Sequence, residues 1–155
     1  MENLSAACAA LLGAFGLAGC GAAPDRAPSA SVGPAVLVST AGGVYELTKS
    51  ATIHPGGRAR LWFATNVKPD CSSGAAGRIK LVAPPLHGEF SQGPATDSAA
   101  FPAANPLRHC NGRLIEGLEV AYAGAPGFVG RDGLKFDILY PNGKIAHVDI
   151  SIDSR

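Results

Sequence analysis

Cysteine has the most reactive side chain in this sequence, and the four cysteines fall into two groups. Cys8 and Cys20 lie in an N-terminal segment, whereas Cys71 and Cys110 are the pair within the part expected to fold. Neither Cys71 nor Cys110 belongs to a Cys-x-x-Cys motif. In an exported protein such a pair oxidises, so a structural disulfide is predicted here rather than a metal or redox site. Closing a loop of this length stabilises a fold by roughly 4 kcal/mol in the chain-entropy model.

Histidine is the second residue type that could bind a metal. The chain contains four, at His54, His87, His109 and His147. A metal site needs several converging ligand atoms, and these histidines are not at ligand spacing, so no metal or cofactor is predicted. His147 is expected to lie on the polar face of the last strand, in contact with solvent.

Aspartates near the C-terminus raise the question of a calcium site. They are Asp132, Asp137, Asp149 and Asp153. Calcium needs a crowded set of oxygen ligands, and the spacing of these four does not match a calcium loop. Asp132 is instead expected to accept hydrogen bonds from local backbone amides in a turn.

Motifs of the common catalytic machineries are absent from the sequence, so the chain is predicted not to be an enzyme. It has no Gly-x-Ser-x-Gly or Ser-x-x-Lys motif, and no glycine-rich stretch opens a helix after a strand. Basic residues near Cys110 form a candidate binding loop for a carboxylate-bearing partner: Arg108, His109, Arg113 and Arg131. A solvated loop is the alternative. The formal net charge of +1 gives no bulk attraction to nucleic acid.

The composition favours strands over helices. Charged residues make up 16% of the chain, and it contains 20 glycines and 12 prolines, which are typical of turn-rich proteins. We therefore predict an all-β fold, an Ig-like antiparallel β-sandwich of about seven short strands. Two strands are expected at Arg58–Thr65, with Leu61 and Phe63 inward, and at Arg78–Ala83.

A hairpin near the C-terminus has a register that the apolar pattern decides. Apolar residues alternate with more polar ones on both sides of Pro141-Asn142-Gly143, at Leu134, Phe136, Ile138, Ala146, Val148, Ile150 and Ile152. A two-residue Asn-Gly turn would pair Ile138 with His147, whereas a three-residue loop pairs Ile138 with Ala146. Because a one-residue slip moves every side chain to the opposite face, the pattern selects the three-residue loop.

Residues 1–20 have the features of an export signal. Ala6–Ala18 is an apolar run too short to cross a bilayer, and the Leu17-Ala18-Gly19-Cys20 that ends it resembles the lipobox of bacterial lipoproteins. That resemblance implies lipidation of Cys20 and, with Gly21 following, an outer-membrane anchor facing the periplasm. Simple secretion into the periplasm is the alternative. The first residues include Glu2 and no Lys or Arg, so either the start is misassigned or the signal is weak.

The remainder divides into a tether and one domain. Residues 21–40 are rich in Pro, Ala and Ser and are expected to form an extended spacer. Residues 41–155 are expected to form the sandwich, which is one domain in length. The apolar run Ala35–Val38 is equally consistent with an edge strand.

Part of the sequence resembles a known family. Pro85-Leu86-His87-Gly88-Glu89-Phe90 is similar to the Pro-x-His-Gly-x-aliphatic step of bacterial Ig-like and cadherin-like repeat domains. Val120-Ala121-Tyr122 and Pro126–Phe136 resemble the Val-x-Tyr and Pro-Gly-Phe-x-Gly-x-Asp motifs of that group. The resemblance covers about residues 79–152, with an insertion at 91–113. It implies that these positions shape a turn and fill the core rather than catalyse a reaction.

Together these patterns predict a non-catalytic envelope lipoprotein. Its Ig-like domain would bind another envelope protein or the cell wall, and its lipid anchor would bind the membrane. The alternative is a periplasmic carrier of a metal or small ligand. Such a carrier would use the histidines and the loops Asn66–Ser73 and Pro106–Arg113, which contain Cys71 and Cys110.

Overall fold

The computed structural model describes residues 30–155, and this part of the chain is built from strands. Residues 1–29, which include the predicted signal, Cys20 and the start of the tether, lie outside the described residues. The strands are β1 (Ser31–Val32), β2 (Val36–Ala41), β3 (Val44–Ile53), β4 (Arg58–Thr65), β5 (Arg78–Ala83), β6 (Gly88–Ser98), β7 (Leu114–Gly124), β8 (Gly130–Leu139) and β9 (Ile145–Ser154). One 3-10 helix, Pro106–Cys110, lies between β6 and β7.

The strands form two sheets that pack as an Ig-like sandwich, which confirms the predicted all-β fold. The larger sheet has the order β1-β3-β9-β8-β5, with β2 also paired to β3, and the smaller sheet has the order β4-β7-β6. Seven strands, β3 to β9, form the two facing sheets, and β1 and β2 add to the edge beside β3. One pair departs from the antiparallel expectation, because β3 runs parallel to β9.

Strand structure begins earlier than the predicted boundary at residue 41. Both β1 and β2 lie within residues 21–40 or at its end, and both pair with β3. The edge-strand alternative for Ala35–Val38 agrees with β2. The turn explains the pairing: Gly42 and Gly43 both have positive φ, 57° and 85°, as a two-residue β-hairpin turn requires. The two glycines therefore form a tight turn that joins β2 to β3, at the point where the spacer was expected to end.

The C-terminal hairpin has the predicted three-residue loop and register. Ile138 pairs with Ala146, Phe136 with Val148 and Leu134 with Ile150. These side chains are buried and meet the smaller sheet through a shared core, which includes Ile53, Leu61, Val120, Tyr122, Leu134, Phe136, Ile138, Val148, Ile150 and Ile152. The hairpin therefore supplies one wall of the core, as the alternation indicated.

Strand β4 has the predicted bounds, but the predicted inward orientation of Phe63 is wrong. Leu61 is fully buried, whereas Phe63 pairs with Glu119 on the outer face. The register of β4 against β7 shifts between Arg60 and Trp62, so a β-bulge at Leu61 reverses the alternation. Trp62 turns inward as a result and meets Phe136 edge to face, with the ring centroids 6.2 Å apart.

Asp132 joins three segments that are distant in the sequence, so the expectation of purely local bonding was wrong. Its carboxylate accepts hydrogen bonds from the amides of Leu86 and His87, each at 2.9 Å, and from the adjacent Gly133 amide at 2.8 Å. The buried Tyr122 hydroxyl donates a fourth, at 2.8 Å. Burial alone would raise the pKa of the Asp132 carboxyl, but these four donors outweigh it and lower the pKa below its ordinary value.

Close packing explains why small and aromatic residues surround this carboxylate. A Cβ at Gly88 would lie 2.4 Å from the Tyr122 ring, so only glycine fits there without displacing the ring. His87 stacks on Phe128 with the ring centroids 4.0 Å apart. The Phe128 carbonyl accepts a hydrogen bond from the Ser154 hydroxyl at 2.7 Å. The turn before β6, the end of β7 and the start of β8 are thus fixed as one unit.

Replacing Asp132 should destabilise the domain more than replacing any exposed aspartate. Asp132→Ala leaves three amides and the Tyr122 hydroxyl without their shared acceptor, so we expect a loss of roughly 2–4 kcal/mol in unfolding free energy. Because its pKa is lowered on folding, the carboxylate stabilises the fold above the ordinary aspartate pKa of about 3.9. That stabilisation is lost as the pH falls through the lower folded value.

Urea unfolding between pH 2 and pH 7 measures both effects. Asp153→Asn is the matched control, since the Asp153 side chain is 45% exposed and makes one ion pair, with exposed Arg155. Asp132→Asn should also flatten the acid limb of the stability profile. An Asp132→Ala variant as stable as the control would show that this carboxylate does not hold the three segments together.

Candidate functional site

A disulfide links the two longest loops at one end of the sandwich. Cys71 and Cys110 are bonded, as the sequence predicted, with their Cα atoms 5.3 Å apart. The first loop connects β4 to β5, and the second connects β6 to β7. Cys110 is fully buried, and Cys71 has a φ of 65°, a left-handed conformation that few residues other than glycine adopt. The bond therefore fixes the second loop against the first.

Side-chain hydrogen bonds order the second loop, which was described from the sequence as an insertion. Asn111 pairs with the backbone of Phe101, accepting from its amide at 2.7 Å and donating to its carbonyl at 3.0 Å. Asn105 caps the 3-10 helix by accepting from the Leu107 amide at 2.8 Å. These contacts hold Phe101 and Leu107 in defined positions on the same loop.

His109 forms a second connection between the loops. One ring nitrogen lies 3.0 Å from the Pro106 carbonyl oxygen, and the other lies 3.0 Å from that of Pro69. Pro106 is in the same loop as His109, and Pro69 is in the loop that contains Cys71. The histidine predicted as part of a binding loop therefore bridges the two loops beside the disulfide.

A cleft of about 350 Å³ opens between these loops and the end of the larger sheet. Tyr45 and Leu47 of β3 and Ala146 of β9 form its floor, and Tyr140 follows β8. The two loops contribute Asn66, Val67, Phe101 and Leu107, β4 ends in the cleft with Thr65, and the turn between β8 and β9 contributes Asn142 and Lys144. Its surface is mostly apolar, and three of its residues are aromatic. A cleft of this size and lining is typical of small-molecule sites.

Charge in the cleft comes from one side chain. The lining contains no aspartate or glutamate, and no carboxylate of residues 30–155 forms an ion pair with Lys144. The Lys144 ammonium lies 5.8 Å from the centroid of the Tyr45 ring, within range of a cation–π contact. Burial, and to a lesser extent Tyr45, raise the pKa of the Tyr140 hydroxyl, so it stays protonated and can donate a hydrogen bond.

The structure separates the four residues of the predicted binding loop. Arg108, His109 and Arg113 lie together at the disulfide end, and both arginines are exposed. Arg131 lies at the start of β8, opposite Asp153 in the antiparallel register with β9. That position is at the opposite end of the sandwich, beside the Asp132 network. Arg131 therefore does not belong to the basic surface at the disulfide end.

Three of the four histidines lie in different parts of the sandwich. His54 is in an exposed turn, His87 stacks on Phe128, and His147 lies 2.6 Å from Asp137. Hydrogen bonding to Asp137 raises the pKa of His147. Within residues 30–155, one group of metal-ligand side chains converges: Cys71, His109 and Cys110. Their sulfurs are bonded to each other, so in this state they are not thiolate ligands.

The four aspartates that were considered as calcium ligands are also dispersed. Asp137 pairs with His147, Asp149 with Lys135 and Asp153 with Arg155, while Asp132 accepts four hydrogen bonds from protein donors. Each carboxylate is thus occupied by a different partner.

Comparisons with known proteins add no functional assignment. No family model, curated protein or solved structure matches this chain. Among residues 30–155, no helix is long and apolar enough to cross a membrane. The functional argument therefore depends on the geometry of the described residues.

Sequence reasoning named the loops that carry Asn66, Val67 and Leu107 but missed the other residues that line the cleft. Tyr45, Phe101 and Tyr140 belong to no motif. Lys144 also belongs to no motif. The cleft forms only when the two loops cover the end of the larger sheet, and a pattern within one segment does not report this. The disulfide was the one available signal, since it indicated that the loops meet.

Breaking the disulfide should lower stability substantially. Replacing both cysteines, with Cys71→Ala and Cys110→Ala, removes a link between residues 39 apart in sequence. The chain-entropy model gives a loss of up to about 4 kcal/mol. Urea unfolding midpoints, measured with and without dithiothreitol, test this expectation.

The double variant, which lacks the disulfide, is the control for any other effect of dithiothreitol on the unfolding midpoint. Dithiothreitol should lower the unfolding midpoint of the natural chain and leave that of the double variant unchanged. An unchanged midpoint in the natural chain, after thiol titration has shown complete reduction, would mean that the disulfide contributes nothing to stability.

Proposed function

We propose that this chain is a non-catalytic lipoprotein of the bacterial cell envelope whose Ig-like domain binds another envelope component. The observation that carries the proposal is the construction of the disulfide end. Two loops are fixed by the Cys71–Cys110 bond and by His109, and they present a cleft and two exposed arginines on one surface. Rigid scaffolds that position loops in this way are typical of binding domains.

Two features of different kinds support the proposed location. A disulfide between two loops is typical of proteins that fold in an oxidising compartment such as the periplasm. The Leu17-Ala18-Gly19-Cys20 sequence resembles a lipobox, which favours an anchor at Cys20 in the outer membrane. Secretion into the periplasm without an anchor is the alternative.

The likeness to bacterial Ig-like and cadherin-like repeat domains is part of the proposal. Its motif residues meet around one carboxylate, since His87, Tyr122 and Gly133 all donate to Asp132. This placement supports the expectation that the motif maintains the fold. Binding is therefore assigned to the disulfide end, which the motif does not include.

A second candidate function is a periplasmic small-ligand carrier. The cleft favours it, because a mostly apolar volume of about 350 Å³ with a few polar groups suits a small molecule. Carriage of a metal, the other form of this hypothesis, gains no support from the histidines, which lie apart.

Site-specific photo-crosslinking in cells tests the leading proposal. A photoreactive amino acid at Arg108, at the disulfide end, should capture one dominant envelope component, identified by mass spectrometry. The matched control is the same amino acid at Leu86, which is 84% exposed at the other end of the sandwich. Identical captures at both positions, or none at Arg108, would contradict binding through the disulfide end.

The anchor makes a separate prediction. The full-length chain should sediment with membranes and carry acyl chains on Cys20 in its intact mass, whereas Cys20→Ser should appear in the soluble periplasmic fraction. Cys71→Ala with Cys110→Ala is the control, since loss of the disulfide should leave the anchor in place. A natural chain whose mass contains no acyl groups would remove the lipoprotein assignment and leave simple secretion.

A further inference from the structure

The cleft has walls that suit a flat ring. Tyr45, Phe101 and Tyr140 place three aromatic side chains in its lining, and Leu107 adds an aliphatic one. Aromatic side chains prefer offset or edge-to-face contacts with other rings. A volume of about 350 Å³ is near the lower end of the usual range for small-molecule sites, so the ligand is about one or two rings in size.

Lys144 selects the charge of the ligand. It is the only charged residue in the lining, and within residues 30–155 no carboxylate pairs with it. Its backbone is held by the β8–β9 turn, where the Lys144 amide donates to Asn142 Oδ1 at 3.1 Å and the Lys144 carbonyl accepts from the Tyr140 amide at 2.9 Å. A cationic ligand would be repelled here, whereas a carboxylate or sulfonate would gain a charge-assisted hydrogen bond.

Two other lysines have partners within the protein. Lys135 forms an ion pair with Asp149, and Lys49 donates to the Leu61 carbonyl at 2.8 Å, which satisfies the bulged part of β4. Lys144 has neither an acidic partner nor a carbonyl acceptor among the described residues. Its ammonium remains near the Tyr45 ring, 5.8 Å from the centroid. The cleft therefore combines an aromatic interior with one uncompensated positive charge.

We propose that the cleft binds a small aromatic anion. The ring lies among Tyr45, Phe101, Leu107 and Tyr140, and the carboxylate or sulfonate faces Lys144. This inference rests on the second candidate function and specifies the class of its ligand. It requires no metal, and the disulfide maintains the site by holding the loop that carries Leu107.

A pair of probes that differ in charge tests the proposal. Naphthalene-2-carboxylate and the neutral 2-naphthalenemethanol are similar in size, and amide shifts in two-dimensional NMR locate and quantify the binding of each to the disulfide-intact protein. The carboxylate should shift Tyr45, Leu107 and Lys144 and should bind about tenfold more tightly than the alcohol.

Two variants and one control assign the preference to the cleft. Lys144→Met should remove the tenfold preference and leave binding of the alcohol unchanged, whereas Lys80→Met, on the exposed side of β5, should change neither. Leu107→Asp should abolish binding of both probes. If that variant does not fold, as amide dispersion would show, Lys144→Met still tests whether the cleft is the origin of the preference for the anion.

The outcomes separate the inference from the function on which it rests. Equal affinity of the two probes for the natural chain, with shifts in the cleft, overturns the anion preference and retains a small-ligand site. Absence of shifts in the cleft with either probe at about 10 mM, an affinity too weak for a carrier, overturns both. The crosslinking result for the leading proposal stands apart from either outcome.

Discussion

The fold depends on the four hydrogen bonds that Asp132 accepts. They join the turn before β6, the hydroxyl of Tyr122 on β7 and the start of β8. Because β6 and β7 belong to one sheet and β8 to the other, this carboxylate couples the sheets at one end. The close approach of these three segments explains two further features. Position 88 has no room for a side chain larger than that of glycine, and the rings of His87 and Phe128 stack on each other.

The opposite end of the sandwich is held by a covalent bond instead. There the disulfide and His109 connect two loops that lie outside the strands of the two sheets. Such loops can vary in sequence without disturbing the core. The molecule thus has one end held by hydrogen bonds to the Asp132 carboxylate and another end formed by loops that the disulfide positions.

Local patterns predicted the C-terminal hairpin, the bounds of β4 and β5, and the disulfide pairing. Non-local packing determined the rest. The bulge at Leu61 turned Phe63 outward, although alternation placed it inward, and Arg131 lies at the other end from Arg108 because β8 runs the length of the sandwich. Asp132 was expected to bond locally, since no pattern within the turn reveals the amides of residues 86 and 87. Most of the cleft lining was missed for the same reason, because four separate segments of the chain create the cleft jointly.

The parallel pairing of β3 with β9 has a consequence for the order of folding. Val44 pairs with Ile145 and Ile53 with Ser154, so the first long strand of the sandwich completes its ladder only on the last. Contacts so distant in sequence form slowly, because the intervening chain must be ordered first. In a chain that emerges from its N-terminus, the larger sheet therefore stays incomplete until the last strand is available.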